Sequence, residues 1–236
     1  MIDLSIIIAA RRDHFKLFKL FHNIVMQSKN PSNIEVLVVI DDDDIELLKW
    51  TQHFIKTEKR FSLSIFIVKQ SEHFTKDYWN FLAKKASGRW IIPLACDVKI
   101  LTRGWDEIVI RKMVGHAATL KDDFILGLTR DNLRRDGEDA LYPHFSCFPV
   151  ISKMQVDKLG YFFDERDYAW GSDQNICSLY KVLEKLTGEK RIVSLVEVKI
   201  HATDSIHTTQ ETDEKKLESM RIADKSYQTW WCDYLE

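Results

Sequence analysis

Three stretches of this sequence place carboxylates where regular structure should begin or end. In residues 90–105, WIIPLACDVKILTRGW, an apolar run ends abruptly at Cys96-Asp97 and resumes at Val98. In residues 34–44, IEVLVVIDDDD, a β-branched run leads straight into four consecutive acids. In residues 170–180, WGSDQNICSLY, Asp173 stands at the head of a segment with helical periodicity. A short buried strand that delivers a carboxylate at its C-terminal end is how open α/β sheets present a ligand site. One such carboxylate, with two phosphate oxygens and waters, makes a normal shell for Mg²⁺ or Mn²⁺, which marks Asp97 as the metal candidate. An acid after a nucleotide-binding strand accepts hydrogen bonds from ribose or base, a role open to Asp41, Asp42 and Asp43. A carboxylate at a helix entrance can take the proton of an attacking hydroxyl, and Asp173 is placed for that.

Each of these residues also has a plain structural reading. Acids favour the positive end of a helix dipole, so residues 41–44 equally suit the start of the next helix. Ser172 or Asp173 suits an N-cap. Asp97 suits a surface turn.

The elements that must position these groups alternate. Residues 4–10 (LSIIIAA) are a continuous apolar, β-branched run, the signature of a strand buried on both faces, and 34–40 (IEVLVVI) read as a second buried strand. Asp13 fits an N-cap, with Phe15, Phe18, Leu20, Phe21 and Ile24 at helical spacing behind it. Residues 30–33 (NPSN) mark a turn. Helices are expected over 45–56 and 78–86, the latter closed by Ser87-Gly88, with strands at 63–68 and 90–95. Pro93 conflicts with the last of these, because it removes a ladder hydrogen bond, and predicts a short or bulged strand. Further on, a helix follows Gly104, a strand covers 124–128, and the charged stretch 129–139 reads as a solvated loop. An apolar segment at 146–151, a short helix at 152–159, a loop at 164–173 and a helix at 174–186 follow. A strand at 193–200 ends in His201, and a polar stretch then leads to a helix-like segment at 217–235. The alternation predicts a mainly parallel twisted α/β sheet flanked by helices. Ligands should gather at its C-terminal strand ends, where Ala9 to Arg11, Asp41 to Asp44 and Asp97 fall. Arg11 and Lys84 are candidates for contacts to phosphate or base.

Bulk properties narrow the classes. A net charge of -2 gives none of the basic field that nucleic-acid binding uses. No run is long enough for a transmembrane segment, and the opening residues have the wrong charge order for a signal peptide. Cys96, Cys147, Cys177 and Cys232 are scattered without a CxxC pair, which points to reduced thiols and a cytoplasmic protein.

Taken together, the motifs resemble those of family 2 nucleotide-sugar glycosyltransferases with the GT-A fold. LSIIIAAR looks like the family's opening strand, and NIEVLVVIDDDD like its second strand with the nucleoside-reading acid. NFLAKKASGRWIIPLACDV resembles the stretch that leads through Gly to the metal-binding Asp. SCFPVISKMQVDKLGYFFDE is similar to the acceptor-side segment, and WGSDQNICSLY to the motif that opens the catalytic helix. Two positions depart from the pattern: Ala95 stands where an acid usually precedes the metal Asp, and Ser172 replaces the first member of the acidic pair.

The resemblance implies one GT-A-like domain over residues 1–236, with a nucleotide-binding half at 1–100, an acceptor and catalytic half at 101–205, and a polar stretch and C-terminal helix at 206–236. It implies a hexosyltransferase-like enzyme using a nucleotide-diphospho-sugar, UDP-sugars foremost, and a carbohydrate or other hydroxyl acceptor. Asp42 and Asp43 match the nucleoside position, Asp173 the general base of an inverting transfer, and Asp97 the metal ligand. His201 resembles the late His that completes the metal shell in some members, and an imidazole favours Mn²⁺ over Mg²⁺. Tyr168 and Trp170 suit either stacking on a sugar or packing of their loop, His207 is a weaker metal candidate, and Trp230 and Trp231 suit closure over the core or, as the alternative, a membrane-interface or oligomer contact. The alternative is a catalytically silent GT-A-like domain that binds nucleotide or glycan. A nucleotidyltransferase would carry a Gly-rich phosphate loop after its first strand, and AARRDHFK contains no glycine.

Overall fold

The computed structural model describes residues 2–71, 73–120, 122–131, 146–166 and 172–202. Tyr168, Trp170, His207, Trp230, Trp231 and Cys232 lie outside them.

The first apolar run forms β1 (Leu4–Ala10), and Asp13 caps α1 (His14–Gln27) by accepting from the Lys16 amide at 2.9 Å. The buried stripe of α1 is Leu17, Leu20, Phe21, Ile24 and Val25. That i, i+3, i+4, i+7, i+8 series leaves Phe15 and Phe18, expected in the stripe, 66% and 44% exposed. Then come β2 (Ile34–Asp41), α2 (Ile45–Thr57) and β3 (Ser62–Val68). The next helix starts earlier than its apolar spacing suggested, as a π-helical turn over Thr75–Asn80 that runs into α3 (Phe81–Lys85).

β4 is short, Trp90–Pro93, and Pro93 explains why. The Trp90 and Leu94 amides donate to the Asp3 and Ile7 carbonyls, so even-numbered residues face β1. Pro93 therefore faces the other neighbour, whose pairing with β4 is limited to Trp90 and Ile91. A missing N–H there breaks no ladder bond.

β5 (Val98–Ile100), α4 (Trp105–Leu120), β6 (Leu126–Asp131), β7 (Pro149–Ser152), α5 (Lys153–Leu159), α6 (Ser172–Thr187) and β8 (Ile192–Ala202) complete the order. Two expectations shift: β6 takes in Thr129, Arg130 and Asp131 from the stretch read as a solvated loop, and β8 continues through His201. Thr129 is fully buried and its hydroxyl donates to the Phe148 carbonyl at 2.8 Å, so this end of the charged stretch is held in the sheet.

The eight strands form one sheet in the order β3-β2-β1-β4-β7-β6-β8-β5. β1 to β4 are mutually parallel, β7 runs against both β4 and β6, and β8 is parallel to β6. Two reversals restore direction, so β6 and β8 point the same way as β1. Only β5 and β7 oppose them, β5 by its antiparallel pairing with β8. The mainly parallel sheet is thus found, with a mixed second half.

Side-chain alternation splits the core into two layers. Ile6 and Ile8 pack with α1, Trp105, Val109 and Met113 on one face. Ile7, Leu37 and Val39 pack with Leu82, Phe162 and Tyr180 on the other. At the far end of the sheet from the acids, Gly88 lets β4 enter beside β1. A Cβ there would stand 2.8 Å from the Ser5 nitrogen and 2.9 Å from the Leu4 carbonyl carbon, both backbone atoms.

Asn80 ties the two halves of the chain together. Its side-chain oxygen accepts from the Phe162 and Phe163 amides at 2.8 and 2.9 Å, and its amide donates to the Phe163 carbonyl at 2.8 Å. All of this is buried. Asn80→Ala leaves three buried backbone groups without partners, at about 1–3 kcal/mol each before relaxation. The expected outcome is a loss of about 3 kcal/mol in stability, read as a lower denaturation midpoint with an unchanged m-value.

Candidate functional site

Strand direction decides which candidates meet. The C-terminal ends of β1, β2, β3, β4, β6 and β8 lie along one edge of the sheet, and β5 starts there. That edge holds Ala9 and Arg11 after β1, Asp41 to Asp44 after β2, Asp97 between β4 and β5, and His201 near the end of β8. α6 precedes β8, so its first turn, with Asp173, opens from the same edge.

The four consecutive acids divide their work. Asp44 is the N-cap of α2, accepting from the Leu47 amide at 3.2 Å, and it also accepts from the Arg12 amide at 2.5 Å. Arg12 has φ 63°, the left-handed region that a residue with a Cβ visits at a cost of about 1–3 kcal/mol. The Asp44 carboxylate supports this bend from the neighbouring loop. Asp41 is buried, accepting from the Tyr78 hydroxyl at 2.5 Å and lying 3.4 Å from Arg11 Nε. Arg11 also reaches Asp43 at 3.4 Å and so joins the β1 and β2 ends. The Asp42 amide donates to the Val68 carbonyl, while its exposed carboxylate has no partner among the described residues. Helix capping therefore occupies Asp44, and Asp42 and Asp43 remain on the surface of the edge.

Asp97 lies in the turn that joins β4 to β5, and β5 pairs with β8 so that Lys99 faces His201 and Val98 faces Ala202. Asp97 and His201 thus come from adjacent strands, two positions apart in register. Asn23 of α1 grips this short strand, donating to the Ile100 carbonyl at 3.0 Å and accepting from its amide at 2.7 Å. Burial pushes the Cys96 thiol pKa up, and the Asp97 carboxylate pushes it the same way. Cys96 therefore stays a neutral thiol beside an acid. Among the described residues, no group of three or more His, Cys, Asp or Glu is placed to hold a metal ion.

Asp173 is half-buried in the first turn of α6. The residue before it, Ser172, is buried with its hydroxyl 3.4 Å from that of Thr75. This contact brings the α6 entrance to the π-helical turn that also carries Tyr78. Lys84 lies in the last turn of α3 and lines a cavity beside the C-terminal end of β3. Ala9 contributes position only, paired with Val39 inside the sheet.

The sequence reading missed Thr75 and Tyr78, the side chains that connect the site. Nothing in their spacing marks them, since Tyr78 reads as an ordinary apolar member of a helix. Its pKa is raised to about 12, first by burial and then by the Asp41 carboxylate it donates to. Because the folded-state value lies above the ordinary 10.0, the phenol's stabilising contribution is complete below pH 10 and is lost as pH rises through about 12. Tyr78→Phe should cost about 2 kcal/mol, the scale for a hydrogen bond to a charged group. The stability gap between wild type and variant, followed by denaturant titration, should be constant up to about pH 10 and shrink above it.

No family model matches the chain, and no curated protein matches it in sequence. Solved structures do match. Residues 1–349 of S. aureus TarS superpose with a TM-score of 0.64 at 14% identity, over 94% of this chain and 69% of that one. The same protein has been solved with UDP-GlcNAc. A mannosyltransferase of Pyrobaculum calidifontis, in complex with GDP-Man and Mn²⁺, gives 0.62 at 13% identity over 85% of this chain and 56% of that one. GalNAc-T7 with UDP, GalNAc and Mn²⁺ gives 0.63 at 14% identity, over 86% and 44%. The fold is that of the GT-A glycosyltransferases.

Proposed function

We propose that this protein transfers a sugar from a nucleotide-diphospho-sugar to an acceptor hydroxyl. The observation that carries the reading is the meeting of Arg11, Asp41 to Asp43, Asp97, His201 and the α6 entrance on one edge of a GT-A sheet. The UDP, UDP-GlcNAc and GDP-Man bound by structural neighbours support a donor of this kind.

In this reading residues 1–100 hold the donor. Asp42 and Asp43 accept hydrogen bonds from the nucleoside, and Arg11, fixed by Asp41, faces the diphosphate with its positive charge. Asp97 and His201 fit a divalent cation shared with the diphosphate: the turn before β5 supplies one carboxylate and β8 one imidazole, two register positions apart. With no third protein ligand among the described residues, phosphate oxygens and water complete the shell. When bound, the cation supplies charge neutralisation for the departing nucleoside diphosphate. Residues 101–205 serve the acceptor. Its hydroxyl oxygen bonds to the anomeric carbon as the bond to the diphosphate breaks, and the hydroxyl proton passes to the Asp173 carboxylate, with inversion.

One observation favours a second reading, a silent GT-A-like domain that binds nucleotide or glycan. Ser172 stands where the family carries an acid and is buried against Thr75, so this position faces the interior.

A panel of UDP- and GDP-sugars with and without Mn²⁺, scored for binding and for release of nucleoside diphosphate, separates the two. Asp173→Asn should lower transfer by about 10²–10⁴-fold, the usual worth of a general base, with donor binding retained. Asp97→Ala should abolish the Mn²⁺ dependence of donor binding. Full transfer by Asp173→Asn would remove the base assignment. Metal-independent binding that Asp97→Ala leaves unchanged would remove the metal assignment, and binding without turnover would select the silent domain.

A further inference from the structure

A cavity of about 540 Å³ lies beside the C-terminal end of β3, between Val68 to Ser71, the π-helical turn and the outer face of α3. Three lysines line it, Lys69, Lys76 and Lys84, and all three are exposed. None of their ammonium groups makes an ion pair or hydrogen bond among the described residues. Elsewhere an acid neutralises some surface lysines, as Glu107 does Lys29 and Glu197 does Lys112, but these three share one cavity wall. Two acids also line the cavity. The Asp77 carboxylate is engaged by the Ser71 hydroxyl, and Glu165 is half-buried, so the described lining residues carry an excess of one positive charge.

The walls are not wholly polar. Val68 and Phe81 give the cavity an apolar side, and Phe81 is held in place edge-on against Phe66 with ring centroids 5.5 Å apart. The volume falls within the roughly 300–1,000 Å³ range of small-molecule sites, large for a bare anion and suited to a ring that carries one. Tyr78 separates this space from Asp41: its hydroxyl accepts from the Ser71 amide on the cavity side and donates to Asp41 on the other.

We propose that this cavity is a binding site, distinct from the donor site, for a small sugar carrying a phosphate or carboxylate group. The ring packs on Phe81 and Val68, and the anionic group sits among Lys69, Lys76 and Lys84 as point charges. Such a site selects on charge first, and its affinity falls with added salt because the lysines face solvent.

Calorimetric titration with glucose 6-phosphate, glucuronate and glucose tests this, with UDP titrated in parallel. At least one charged sugar should bind and glucose should not. The stronger of the phosphate and carboxylate arms identifies the anionic group. Lys69→Gln/Lys76→Gln, which changes two exposed side chains, should weaken that binding at least tenfold and leave UDP affinity unchanged. Glucose binding as well as its charged analogues, no binding by either charged sugar, or a double variant that binds like wild type would each overturn the proposal. A parallel loss of UDP affinity in the double variant would overturn it too, by merging the cavity with the donor site. Charged-sugar binding by a protein that ignores UDP would instead uphold the cavity while removing the donor reading.

Discussion

Three buried polar side chains on one π-helical turn set the arrangement of the site. Thr75, Tyr78 and Asn80 are nearly inaccessible to water, and each bonds to a different part of the chain: the α6 entrance, the end of β2 and the loop after α5. A buried polar group without a partner costs on the order of 1–3 kcal/mol. The turn is therefore stable only when all three elements are in place around it. Wide turns of this type inside α-helices recur at functional sites, where the extra residue redirects side chains. Here the redirection aims a phenol at Asp41 and an amide at the backbone of Phe162 and Phe163 within three residues.

The rest of the edge is built by strand direction. Parallel strands bring their C-terminal ends together without further instruction, and β8 joins them because two antiparallel pairings cancel. His201 reaches the vicinity of Asp97 in this way, across a ladder and not along the chain. Ser172 carries a hydroxyl small enough to bury against Thr75, a place where a carboxylate would need solvent or a counter-charge.

Local features were readable in the sequence and remote ones were not. β1 and β2 lie where their apolar runs stand, and the Asp13 cap follows from a short polar side chain before helical periodicity. The division of labour among Asp41 to Asp44 was not readable, because four identical residues carry no mark of which one faces Tyr78, 37 positions away. The Thr75–Ser172 contact spans 97 positions, and neither residue type signals a partner. Pro93 was legible as a conflict, and only the pairing of β4 with β7 shows why it is harmless. Phe15 and Phe18 misled because period alone does not say where a stripe is centred; the fuller series from Leu17 to Val25 does.

That same β4–β7 pairing has a mechanical consequence. The two halves of the sheet meet along two register pairs, Trp90 with Ser152 and Ile91 with Ile151, extended by one bond from the Lys153 amide to the Arg89 carbonyl. β1 and β2 share seven register pairs and β6 and β8 six, whereas β6–β7 and β5–β8 have three each. This sparse row lies between the half of the sheet that carries Arg11 and the half that carries His201, so the two sides of the candidate site are joined by few backbone bonds.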